Sequence, residues 1–116
     1  MFVRMGPYKD HRRRPRQEVV RVHSYDTWSL DYTLAKVIAP AIARLRRDSQ
    51  VVRSHPSDLE TYEQWDDVLA KMQRAFEIVV ELDDVEMGVV GPDRERNALI
   101  QEGLEMFAKY FRSLWV

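Results

Sequence analysis

Tyr25, Trp28, Asp31 and Tyr32 place three aromatic rings and a carboxylate within one short stretch, YDTWSLDY. Such side chains can stack a planar ligand and hydrogen-bond its edge. Ahead of them runs His11-Arg12-Arg13-Arg14-Pro15-Arg16. Guanidinium forks match phosphate oxygens, so Arg12, Arg13 and Arg14 are candidates for contact with a nucleotide or a nucleic acid. The plainer reading is a solvated basic arm, and for Trp28 an indole that covers the end of a helix. Other chemistries are excluded by type. The chain has no cysteine, which removes disulfides, thiolate metal sites and cysteine nucleophiles. Its three histidines, His11, His23 and His55, are too scattered to present a metal pair on one helix face. A glycine-rich phosphate loop, a Gly-x-Ser-x-Gly elbow and a triad arrangement are all missing.

Glu60-x-x-Glu63 and Glu81-x-x-Asp84 form two acidic pairs. Formally they resemble the paired carboxylates of the all-α nucleoside triphosphate pyrophosphohydrolases. That resemblance implies magnesium held by Glu60, Glu63, Glu81 and Asp84 from facing helices. Against it, one apolar seam runs from Tyr62 to Val79. A single helix would hold the two pairs about 30 Å apart. A solvated acidic face is the simpler expectation, with no metal and no cofactor.

The charge is divided along the chain. Residues 1–56 carry twelve Lys/Arg against five Asp/Glu, and residues 57–116 carry six against fourteen, within a net charge of −1. Such a division is neutralised inside one fold, between copies, or by an anionic ligand.

The elements that must position these residues are helices. Ser24, Asp26 and Thr27 are N-cap types, followed by Leu30, Leu34, Val37/Ile38, Ala41/Ile42 and Leu45 at helical spacing, which predicts helix 1 over 25–48. Pro40 predicts a kink, and Arg44, Arg46 and Arg47 place cations at the helix's negative end. Ser57-x-x-Glu60 reads as a capping box for helix 2 over 58–82, with the seam Tyr62, Trp65, Leu69, Met72, Phe76, Val79. Gly88, Gly91 and Pro92 break it, and Ile100, Leu104, Phe107, Phe111 and Leu114 predict helix 3 over 93–115. Residues 18–23 alternate as one short strand that must pair with residues 2–5, pair with another copy, or not form. The expectation is one all-α domain over 1–116: a three-helix bundle behind an irregular basic arm (1–24). Three helices this rich in aromatics leave apolar surface to cover, so an oligomer is expected.

The blocks YDTWSLDYTLAKVIAPAIARLR, EQWDDVLAKMQRAFEIV and ERNALIQEGLEMFAKYFRSLWV resemble a family of small tailed-bacteriophage proteins. The matching positions include Asp26, Thr27, Trp28, Asp31, Leu34, Ala35, Pro40, Trp65, Phe76, Lys109, Tyr110, Phe111 and Trp115. The resemblance implies a viral source and a shared fold, and transfers no activity. The basic arm and the loop between helices 1 and 2 depart from the family pattern, so the arginines borrow no role from it.

Together these readings favour a non-enzymatic accessory protein that sequesters a nucleotide-type ligand or a host protein, as a counter to host defence. No apolar run is long enough to span a bilayer, and the first residues lack a secretory leader's apolar stretch, so the expected place is the cytoplasm of the infected host cell.

Overall fold

A computed structural model describes residues 1–5, 18–84 and 94–116. Strands β1 (Phe2–Met5) and β2 (Glu18–Arg21) pair antiparallel, with Phe2 opposite Arg21. Pairing with residues 2–5 is therefore the outcome for the predicted strand. A 3₁₀ turn, Ser24–Thr27, leads into α1 (Leu30–Val52), α2 (Tyr62–Asp84) and α3 (Arg94–Tyr110), and a second 3₁₀ turn covers Phe111–Ser113. The result is a three-helix bundle with a small hairpin at its head. Arg12, Arg13 and Arg14 lie outside the described residues.

The antiparallel neighbours α1 and α3 each pack on α2 and not on each other. α2 is therefore the core helix. Tyr62, Trp65, Leu69, Met72 and Phe76 of the predicted seam are all buried, as are Val68, Ala75 and Ile78. The buried set wraps more than half the helix because it faces two partners. The radius of gyration is 16.4 Å, against about 13 Å for a compact domain of this length.

The outer helices depart from the sequence reading in part: Ile38, Ile42, Leu45, Phe107 and Leu114 are in the core or pack against it as expected, and the remaining stripe residues do not. α1 buries Ala35, Ala39, Ile42 and Ser49, while Leu30, Leu34 and Val37 remain more than a third exposed. Small residues let two backbones approach, so the small-residue stripe wins the contact and the neighbouring large one turns outward. The same selection acts in α3, where Gly103 is buried against α2. A Cβ on Gly103 would lie 2.3 Å from the Ala75 Cβ and 2.7 Å from the Lys71 carbonyl oxygen. Tyr110 is buried as well, its hydroxyl donating to Asp58 at 2.8 Å. Leu104 and Phe111, both expected in the core, are exposed.

Boundaries shift for local reasons. α1 starts at Leu30 rather than near 25 because Ser24–Thr27 close as a 3₁₀ turn, in which the Asp26 carboxylate accepts from the His23 N–H at 2.8 Å. It runs unbroken through Pro40 to Arg53, whose φ of 58° caps it in the left-handed region. The arginines expected at its end thus lie within it. There Arg46 spans to α2, its Nε and Nη2 on the two Asp66 carboxylate oxygens at 3.0 and 3.2 Å and its Nη1 on Gln73 Oε1 at 2.9 Å. The capping box of α2 forms four residues later than predicted, at Thr61-x-x-Gln64. Gln64 N–H donates to Thr61 Oγ1 at 3.2 Å, and Gln64 Oε1 accepts from the Thr61 N–H at 3.3 Å. Both tetrapeptides fit the pattern. Asp58 instead serves Tyr110 from the turn. α3 proper ends at Tyr110, before the predicted 115.

A cleft at the head of the first helix

The 3₁₀ turn and the first two turns of α1 enclose one side of a cleft of about 490 Å³. Tyr25, Trp28 and Tyr32 line it, together with Asp26, Lys36 and Val37. Three of the four residues of the predicted aromatic cluster are therefore brought together. Asp31, on the first turn of α1, is not among the lining residues. Trp28 is no capping anchor: it is 81% exposed, and its ring stands 5.3 Å from that of Tyr25, tilted by 40°. The bundle forms without it, because α1 docks on α2 through Ala35, Ala39 and Ile42.

Hydrogen bonds fix the floor beneath these rings. Thr27 Oγ1 donates to the Ser24 carbonyl at 2.7 Å, and Thr33 Oγ1 donates to the Ser29 carbonyl at 3.2 Å and reaches the Asp26 carbonyl at 3.4 Å. The turn is thereby tied to the helix, which holds the Tyr25–Trp28 pair beside Tyr32. Asp26 is engaged: its carboxylate meets the Met1 amino group at 2.6 Å, and that bond, followed by the one from His23, holds its pKa below the usual carboxylate value. Lys36 Nζ donates to the Tyr32 hydroxyl at 3.3 Å and lies 5.1 Å from the ring centroid. Lys36 has no carboxylate partner among the described residues, so its charge faces the cleft uncompensated.

The sequence reading missed Lys36. A signal was present, because Trp28, Tyr32 and Lys36 recur every fourth residue and so share one side of the helical path. The cleft thus offers two exposed rings, a phenol and, in Lys36, a cation with no carboxylate partner among the described residues, a set suited to a planar ring bearing an anionic group.

The acidic pairs are not assembled. Glu63 and Glu81 stand on the same helix, eighteen residues or about 27 Å apart along its axis. Glu63 pairs with Arg53. Its pKa is depressed first by its own backbone N–H and then by Arg53. Glu81 pairs with Arg74 at 2.7 Å, which holds its carboxyl low. Glu60 belongs to the turn before α2, and the Asp84 side chain lies outside those described. Among the described residues, no three His, Asp or Glu side chains are grouped to hold a metal ion, and no helix is long and apolar enough to cross a membrane.

No family model matches the chain. Neither a curated protein nor a solved structure is significantly similar to it. The residues of the cleft must carry the functional reading.

Proposed function

We propose that this protein is a non-enzymatic binding domain that takes a nucleotide-type ligand in the cleft at the head of α1. The observation that carries the reading is the convergence of exposed Tyr25 and Trp28 rings with Tyr32 and the uncompensated Lys36 around one cleft. The ligand's base stacks on the Trp28–Tyr25 platform, and its phosphate meets Lys36. The Met1 amino group in the cleft is paired with Asp26 and Lys36 meets no carboxylate among the described residues, so a single phosphate or a cyclic phosphodiester is the matching charge. The Asp26 carboxylate of the cleft is taken up by the Met1 amino group and the His23 N–H, which favours capture over turnover. In the setting that the bacteriophage resemblance implies, such capture removes a nucleotide signal used by the host in defence.

Calorimetric titration with mononucleotides and cyclic dinucleotides tests this. Wild-type protein should bind at least one of them. Trp28→Ala should weaken the affinity about 5- to 150-fold, the range set by removing one stacked aromatic. Lys36→Ala should weaken a phosphorylated ligand and leave the bare nucleoside unaffected. Absence of heat with every nucleotide at millimolar concentration would overturn the reading.

A further inference from the structure

The charge of the cleft continues down the outer flank of α1. Tyr32, Lys36, Pro40, Ala43, Arg47 and Gln50 recur every third or fourth residue, so they lie in one file along the helix. The file begins at the cleft, which Tyr32 and Lys36 line. Arg47 lies about 16 Å beyond Lys36 along the axis and only about 20° around it. Pro40 and Ala43, between the two cations, have short side chains, so the surface there is low.

The file contains no acid. Of the two carboxylates of α1, Asp48 is paired with Arg44 at 3.2 Å, and Asp31 is turned about 140° away from Lys36. On the neighbouring edge of α2, Asp66 is held by two nitrogens of Arg46, and Glu77 lies in the field of Arg46 and Arg74. Lys36 and Arg47 are left exposed with no carboxylate partner among the described residues. Met1 lines the cleft as well, and in the hairpin that follows it Phe2 stands opposite Arg21, another exposed cation without such a partner.

A mononucleotide with its base on the Tyr25–Trp28 platform and its phosphate at Lys36 leaves Arg47 unused. A strand does not. Stacked nucleotides place successive phosphates about 3.4 Å apart, so the distance from Lys36 to Arg47 corresponds to about five of them. Each linkage carries a single negative charge, which is the charge that the cleft matches. A duplex keeps the faces of its bases inside its own stack, whereas the platform needs an open face. Polyphosphate would use the cations and leave the rings without a role. We infer that the ligand is a single-stranded nucleic acid, an inference that rests on the cleft reading above. One base stacks on Trp28 and Tyr25, the adjoining phosphodiester meets Lys36, and the strand runs along the outer flank of α1 to Arg47.

Fluorescence anisotropy of the full chain with labelled single strands of about six nucleotides, as DNA and as RNA, tests this beside calorimetric titration of a mononucleotide. At least one of the two strands should bind more tightly than the mononucleotide. Arg47→Ala should weaken that strand about two- to fivefold and leave the mononucleotide unchanged. The same variant should reduce the slope of log affinity against log salt by about 0.7, the share of one phosphate on a single strand. Arg112→Ala, which removes a cation from the second 3₁₀ turn, should change neither. A strand indifferent to Arg47→Ala, or weakened as much by Arg112→Ala, overturns the track, as does a blunt duplex bound as tightly as the strand. Strand binding that Trp28→Ala leaves intact overturns the seating of the base. A mononucleotide that still binds with Trp28-dependent affinity leaves the cleft reading standing when the track fails, so the two failures are separable.

Discussion

Trp65 lies 2% exposed in the middle of α2, its ring 5.3 Å from Tyr110 and nearly edge-on to it, while Trp28 stands 81% exposed at the head of α1 beside Tyr25. Trp65 belongs to the buried core cluster, whose members come from all three helices. Around Trp28 the neighbours are a phenol, a hydroxyl, a carboxylate and an ammonium. The two tryptophans therefore stand in opposite settings. In the core the ring replaces water contact with packing, and at the cleft it is exposed to solvent. The same substitution should have opposite consequences in the two regions.

The largest effect is expected at the core. Trp65→Ala should cost about 3–5 kcal/mol of unfolding free energy, measured by urea denaturation, enough to remove most of a domain's marginal stability. Gly103→Ala comes next, at about 1–3 kcal/mol, because its new methyl meets the Ala75 Cβ and the Lys71 carbonyl with little room to relax. Arg46→Ala should cost about 1–2 kcal/mol, since it strands Asp66 and Gln73 on the partly buried edge of the α1–α2 contact. At the other pole, Trp28→Ala should change stability by less than about 0.5 kcal/mol while weakening ligand binding about 5- to 150-fold. A Trp28 variant that unfolds would erase the contrast between the regions.

The smallest effect is electrostatic. Glu63 and Glu81 have folded-state pKa values below the usual glutamate value. A depressed carboxylate stabilises the fold above its unfolded pKa, and that contribution is lost as the pH falls through its folded pKa. Stability should therefore decline in acid, below the ordinary glutamate range. Both ion pairs are exposed and solvent-screened, so Glu63→Gln with Glu81→Gln should flatten that decline only slightly in denaturation curves taken across the acid range.

The central helix was the most legible element in the sequence. Its seam from Tyr62 to Phe76 is buried as read, because a helix with partners on both sides carries a strong period in large side chains. The stripes of the outer helices were read correctly on one edge only: Ile38, Ile42, Leu45, Phe107 and Leu114 are buried in the core or pack against it, while the other members turn outward. Leu30, Leu34, Leu104 and Phe111 have larger side chains than Ala35, Ala39 and Gly103, yet it is the small residues that are buried, as Ile42 is. Hydrophobicity ranks leucine over alanine, whereas the distance between two backbones ranks them the other way. Trp28 was misplaced for a related reason: its type suggests burial, and only the 3₁₀ closure by Asp26 and His23 turns it outward. The aromatic cluster itself was legible, and Lys36 was not, because it joins the cleft through the fourth-residue spacing from Trp28 and Tyr32 rather than through adjacency.

The most direct test of the division between the two tryptophans is an NMR titration that follows their indole N–H signals, assigned through single Trp→Phe variants, as a nucleotide is added. The Trp28 signal should shift in a saturable way while that of Trp65 stays in place. A Trp28 signal that does not move at millimolar nucleotide, or a Trp65 signal that moves in its stead, would contradict the assignment of recognition to the head of α1.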